Sequence, residues 1–227
     1  MDWDYDGERG PEHWKQLCPA FFEAEEGSLQ SPIMLSEKTA TKADQQKKAR
    51  FFYETTRFST SFYNHTVHLA PLEKEKQNKI LFDDTPFFLD DIHVHLPSEH
   101  QIDEHTFAME IHFVHRSAQQ EILVVAVMAE KSMQEKSNQT FSLDHIKDQT
   151  QCTLVLPDWT PQSSSFFYYS GSLTTPPTKG PVNWLVFKEP ISLDASLLND
   201  MQQQLGKTNR PLQPIQDRSV HLYSDTE

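Results

Sequence analysis

The sequence predicts a mainly β protein with a few short helices. Three observations carry this. Apolar and polar residues alternate with a period near two over 88–96 and 106–116, the pattern of strands that turn one face to a core. The run 122–129 is apolar throughout but only of strand length. Helical spacing is confined to two short stretches, 11–17 and 193–205.

Each element has a local reason. The stretch 11–17 opens with Pro11, whose fixed φ and missing N–H suit a first helical turn. Glu73-Lys74-Glu75-Lys76-Gln77-Asn78-Lys79 is a mixed charge run between apolar segments and reads as a solvated strand connection or hairpin. Residues 166–169 are a short aromatic run with strand propensity. In 193–205 leucine recurs at turn-like spacing behind Ser192, a candidate cap. Fourteen prolines punctuate the chain without forming a long linker, and no internal repeat is visible. One domain over 1–227 is therefore expected, a size that β sandwiches and barrels reach as a single unit.

Composition narrows the function classes. Apolar residues make up 37% of the chain, with 15 Phe and 4 Trp, enough for a real core. A formal charge of −13 with scattered basic residues would repel a phosphate backbone, so nucleic acid is not an expected partner. The longest apolar run is too short for a helical membrane span. Met1-Asp2-Trp3-Asp4-Tyr5 has neither a basic nor an apolar leader region, so a secretory signal is either unused or already removed. Cys18 and Cys152 lack the spacing of a redox or zinc motif, which leaves two buried thiols or one bridge.

The chemistry concentrates in the histidines. A strand through Asp91-Ile92-His93-Val94-His95-Leu96 sends Asp91, His93 and His95 to one face and Ile92, Val94 and Leu96 to the other. In Met109-Glu110-Ile111-His112-Phe113-Val114 the same alternation places Glu110, His112 and Val114 together, so a neighbouring strand can supply a third imidazole. Three neutral imidazoles with one open position describe a catalytic zinc site, whereas structural zinc usually closes its tetrahedron with cysteines. Asp91 and Glu110 each lie two residues before a proposed ligand, where each can accept a hydrogen bond from the ligand's other ring nitrogen. His93-x-His95-x-x-x-Glu99 also fits the start of a metal-binding cupin motif. The glycine expected after the glutamate is absent, however, and no second Gly/Pro/His motif follows.

Motifs along nearly the whole chain carry a resemblance. They are Tyr5, Gly10-Pro11-Glu12-His13-Trp14, Gln30-Ser31-Pro32-Ile33, His93-Val94-His95-Leu96-Pro97-Ser98-Glu99-His100 and Glu110-Ile111-His112-Phe113-Val114-His115. Further on come Tyr169-Ser170-Gly171-Ser172-Leu173-Thr174-Thr175-Pro176-Pro177, Val182-Asn183-Trp184 and Asn209-Arg210-Pro211-Leu212-Gln213-Pro214. In this order they resemble the alpha-carbonic anhydrases, bacterial type. The resemblance implies a large twisted, mostly antiparallel sheet with a few short peripheral helices. It also implies reversible hydration of carbon dioxide to bicarbonate and a proton by hydroxide on Zn2+. Carried over, His93, His95 and His112 are metal ligands, Asp91 and Glu110 orient them, and Thr174 and Glu99 form a gate in which Thr174 donates to Glu99. Val114, Val124, Leu173, Trp184 and Thr175 match the substrate pocket. His65 aligns with the proton shuttle, with Tyr5, Asn64 and His68 along the proton path.

The departures from the family pattern carry expectations of their own. Asp91 stands where the family usually has glutamine, and a carboxylate there implies a higher pKa for the metal's water. His65 follows Tyr63-Asn64 instead of the usual Asn-Gly. Ala24 and Thr178 occupy positions where secreted relatives pair cysteines, which favours the cytoplasm, with a periplasmic or secreted protein whose signal has been removed as the alternative. A monomer or homodimer is expected. Two rival readings are a noncatalytic binding module of the same family and a cupin-type metal oxygenase.

Overall fold

The computed structural model describes residues 2–26, 29–43, 49–73, 78–132, 150–162 and 165–224. The centre of the charge run, 74–77, lies outside the described residues. The first half of the chain forms strands β1 (Met34–Leu35), β2 (Thr41–Lys42), β3 (Ala49–Phe52), β4 (Thr55–Tyr63), β5 (Thr66–Pro71), β6 (Lys79–Phe82), β7 (Thr85–His95) and β8 (Gln101–Ile102). The second half forms β9 (Met109–Arg116), β10 (Ile122–Lys131), β11 (Gln151–Val155), β12 (Phe166–Gly171), β13 (Val182–Phe187), β14 (Ile191–Leu193) and β15 (His221–Tyr223). The helices are α1 (Trp14–Leu17), α2 (Pro19–Glu26) and α3 (Ala195–Leu205). None among the described residues is long and apolar enough to cross a membrane.

Among these residues thirteen strands share one sheet, ordered β11-β4-β5-β7-β9-β10-β13-β12-β15-β2, with β14 beside β10 and the pair β3 and β6 beside β7. Most neighbours are antiparallel, and β10 runs parallel to both β13 and β14. The central strands are buried on both faces. Leu123, Val125 and Val127 of β10 join Ile92, Val94, Met109, Ile111 and Phe113 under Leu197, Leu198 and Met201 of α3. Val124, Ala126 and Met128 face the other way, beside Val114, Tyr169 and Trp184. Burial on both faces explains why 122–129 reads as an unbroken apolar run.

One irregularity places the site. The β7–β9 pairing slips between Leu89 and Asp91, a β-bulge that sets Leu89 opposite His115 but Asp91 opposite Val114. Phe87 and Leu89 therefore share the α3 side with Ile92 and Val94, although their sequence parity differs. Without that slip His93 would face Ile111; with it, His93 lies opposite His112.

Three local expectations are corrected. The candidate cap Ser192 lies inside β14, paired with Glu130 of β10, and the N-cap of α3 is Asp194. Residues 106–108 precede β9 instead of extending it. The expected helix over 11–17 shortens to α1, which starts at Trp14, so Pro11 lies in the turn before it. Helix α2 had not been expected; its first residue is Pro19, a position that proline suits. Cys18 and Cys152 are free thiols, each half-buried. Burial pushes the Cys152 thiol up to about 11.

Candidate metal centre

The pairing of β7 with β9 brings three imidazoles to one point. The ring of His93 lies 5.2 Å from those of His95 and His112, and His95 lies 4.6 Å from His112, centroid to centroid. One nitrogen from each falls within 4.8 Å of the other two. Among the described residues no further His, Cys, Asp or Glu joins this triad as a fourth ligand.

The outer nitrogens fix which lone pairs point inward. Nδ1 of His93 donates to Oδ2 of Asp91 at 2.7 Å, and Nδ1 of His95 to the Thr208 carbonyl at 2.6 Å. Nε2 of His112 donates to Oε1 of Glu110 at 2.7 Å. In the neutral tautomers this leaves Nε2 of His93, Nε2 of His95 and Nδ1 of His112 as bare acceptors facing each other. His112 Nδ1 lies 3.3 Å from His93 Nε2, and His95 Nε2 is buried with no hydrogen-bond partner. Burial pushes His93 down to about 3 and lowers His95 as well, so both stay neutral at ordinary pH. Three converging lone pairs with no proton among them form a site for a cation, and this histidine triad can bind a metal ion.

The supporting carboxylates are ionised. Burial pushes Asp91 upward, but hydrogen bonds from His68 and His93 outweigh it and hold the group far below the usual carboxylate range. Burial also opposes ionisation of Glu110, and His100 and His112 overcome it. Glu110 accepts four donors. These are the rings of His112 and His100 at 2.7 Å each on Oε1, and the backbone N–H groups of Glu99 and His100 at 2.7 and 2.8 Å on Oε2. Tyr169 closes this side, its hydroxyl 2.6 Å from Nε2 of His100 and 2.9 Å from Oγ of Ser31. The supports contributed by His100 and by the Thr208 carbonyl had not been expected. His100 stood inside a quoted motif, whereas a backbone acceptor leaves no trace in residue type.

The gate residues are only partly assembled. Oε1 of Glu99 accepts the Arg210 N–H at 2.8 Å. Oε2 is buried without a hydrogen-bond partner, 3.5 Å from Nε2 of His95. Thr174 is buried, but the expected bond from its hydroxyl to Glu99 is not made.

The expected pocket wall does come together. Val114, Val124 and Trp184 occupy one transverse row across β9, β10 and β13, and Leu173 packs against the same cluster. Trp184 stands edge-on to His112 at 5.0 Å. Thr175 is half-buried and its carbonyl accepts the Thr178 N–H at 2.8 Å.

On the other side, Asn64 and His65 form the two-residue turn between β4 and β5, with φ of 49° and 64°. Both are exposed. His65 donates through Nε2 to the Trp3 carbonyl at 2.8 Å and lies against Trp3 and Tyr5. The Tyr5 hydroxyl is buried without a partner, and burial plus the charge of Glu99 raise its pKa well above normal. His68, thought as apt to be exposed as to serve the site, is buried and bonded to Asp91.

Comparison with known proteins matches this geometry. The profile of the eukaryotic-type carbonic anhydrase family matches residues 9–224. The chain belongs to the eukaryotic-type, or alpha, carbonic anhydrase family. This carbonic anhydrase is 32% identical over 231 residues to the carbonic anhydrase of Klebsiella pneumoniae, covering 96% of this chain and 89% of that protein. It superimposes on the alpha-carbonic anhydrase of Thermovibrio ammonificans, solved with the inhibitor sulfanilamide, with a TM-score of 0.85 at 28% identity, covering 97% and 98% of the two chains. Dioscorin complexed with ascorbate shares the fold, with a TM-score of 0.86 at 23% identity over both full chains. This carbonic anhydrase keeps the histidine triad complete.

Proposed function

We propose that the chain hydrates carbon dioxide reversibly to bicarbonate and a proton, with Zn2+ held by His93, His95 and His112. One observation carries the reading. Three imidazoles converge, His95 and His112 buried and His93 partly exposed, each with its outer nitrogen fixed by an acceptor, and no fourth ligand is present among the described residues. Zinc supplies a water whose pKa falls from ~15.7 to roughly 7, an effect for which carbonic anhydrase is itself the reference case.

The remaining work falls to the chain's own side chains. Asp91, Glu110 and the Thr208 carbonyl hold the ligand rings in the binding tautomer. Glu99, anchored by the Arg210 amide, keeps Oε2 available as acceptor for the Thr174 hydroxyl, which would then orient the attacking oxygen through its own lone pair. Val114, Val124, Leu173 and Trp184 offer an apolar wall to a small apolar substrate and exclude water from it. His65, at the exposed tip of a hairpin, has Nδ1 free of the Trp3 contact and relays the proton to buffer.

The test joins metal content to stopped-flow carbon dioxide hydration on the purified chain. One zinc per chain, with activity lost to a chelator and restored by zinc, is the expected result. A chain that binds zinc but does not hydrate carbon dioxide would overturn the reading.

A further inference from the structure

We propose that His68 is a positioning residue for the metal centre: it clamps the Asp91 carboxylate against His93 and so sets how firmly the site retains its ion. The proposal rests on the metal-centre reading above and adds a residue from a third strand, β5, to the two that supply the ligands.

Register and contact carry the argument. His68 of β5 lies directly opposite His93 of β7, so both rings project from the same face of the sheet, 5.0 Å apart. Nδ1 of His68 lies 2.9 Å from Oδ2 of Asp91, the same oxygen that stands 2.7 Å from Nδ1 of His93. One carboxylate oxygen thus receives two imidazole N–H donors. A carboxylate is suited to this because it only accepts, whereas an amide there would present N–H as well as oxygen.

Asp91 needs a second anchor. It is the first residue after the bulge, where the regular ladder with β9 has just slipped, and its side chain remains 17% exposed. A carboxylate in that position has other rotamers and solvent to turn to. His68 has neither freedom, since its side chain is only 8% exposed and Tyr63 stacks on it at 3.6 Å and 10° between ring planes. Its other nitrogen, Nε2, is buried with no hydrogen-bond partner, so the bond to Asp91 is the one that orients the ring. The chain of contacts runs from Tyr63 through His68 and Asp91 to His93, each member limiting the next. Groups that orient metal ligands in this way typically change metal affinity by about 10–100-fold when removed.

The experiment uses the full chain loaded with zinc and follows transfer of zinc to excess chelator. His68→Phe keeps an aromatic ring for Tyr63 to stack on and deletes the N–H; zinc loss should quicken at least about tenfold. His68→Asn returns an N–H near the place of Nδ1 and should restore retention to within about threefold of the wild type. In an Asp91→Ala background, His68→Phe should add almost nothing, because its effect passes through the carboxylate. The visible spectrum of the cobalt(II) form should shift with His68→Phe and return with His68→Asn. Where circular dichroism shows that the phenylalanine variant does not fold, His68→Leu takes its place in the cycle. Wild-type retention in His68→Phe, or an undiminished effect in the Asp91→Ala background, would overturn the proposal alone. A wild-type chain that takes up no zinc would overturn the metal-centre reading and this proposal with it.

Discussion

Glu110 holds the backbone of Glu99: its Oε2 accepts the Glu99 amide at 2.7 Å while its Oε1 receives Nε2 of His112 at the same distance. One buried carboxylate therefore fixes the tautomer of a metal ligand and the position of the gate residue together. An amide in its place has one acceptor oxygen for four donors and brings two donors of its own. Glu110→Gln should cost about 1–3 kcal/mol of stability for the buried mismatch, as read by urea unfolding. It should also speed zinc loss to a chelator about 10–100-fold. Unchanged values in both measurements would show that the four contacts are not acting as a unit.

Thr174 is buried, and Oε2 of Glu99, its expected acceptor, is buried without a hydrogen-bond partner. If that hydroxyl closes onto Glu99 during turnover, Thr174→Ala should lower kcat/KM for hydration about 10–100-fold, the equivalent of ~1.5–3 kcal/mol for a hydrogen bond to a charged group. Zinc content should not change. A fall in zinc content instead would move Thr174 from the gate to the scaffold.

His65 sits at φ 64° in the exposed turn, a conformation that asparagine tolerates better than alanine. His65→Asn should therefore leave stability within about 0.5 kcal/mol of the wild type. Hydration in weak buffer should fall, and high concentrations of an imidazole buffer should restore it. If the loss persists at saturating buffer, the proton leaves by another route.

His115 gives a pH signature away from the metal. It donates through Nδ1 to the Phe113 carbonyl at 2.8 Å and receives the Tyr53 hydroxyl at 3.0 Å, so the neutral ring is fully satisfied. Burial pushes its pKa down to about 3, against weaker upward pulls from backbone hydrogen bonds. Unfolding frees the ring to bind a proton below pH ~6.5. Its contribution is therefore complete above that pH and drains away as pH falls toward 3, at up to about 1.4 kcal/mol per pH unit. Urea titrations of the metal-free wild type and of His115→Gln between pH 4 and 7 should show a shallower slope in the variant. Parallel slopes would contradict the buried neutral ring.

Much of the fold was legible because the central strands obey one rule. The side-chain faces expected for 91–96 and 109–114 are those observed, since each strand alternates regularly once it is in register. The strand-length run 122–129 was equally readable, although its burial on both faces only became clear with α3 over one face and Ile33, Leu35 and Phe107 clustered on the other. Helix α2 was not read from the sequence, and only Cys18 separates it from the end of α1 at Leu17. The cap of α3 was misplaced because Ser192 and Asp194 are equally good cap residues, and β14 alone decides between them.

Residue type and spacing by themselves pointed to a metal site, with two imidazoles on one strand face, a third two residues after a carboxylate and no cysteine at zinc-motif spacing, and the family motifs along the chain narrowed that site to hydration chemistry. Tertiary structure decided whether those groups could meet. The bulge before Asp91 brings His93 opposite His112, the Thr208 carbonyl arrives from 113 residues away to fix His95, and β5 delivers His68 to the Asp91 carboxylate. The physical reason is that alternation along a strand is local, whereas register between strands and the approach of a distant backbone carbonyl depend on how the whole sheet packs.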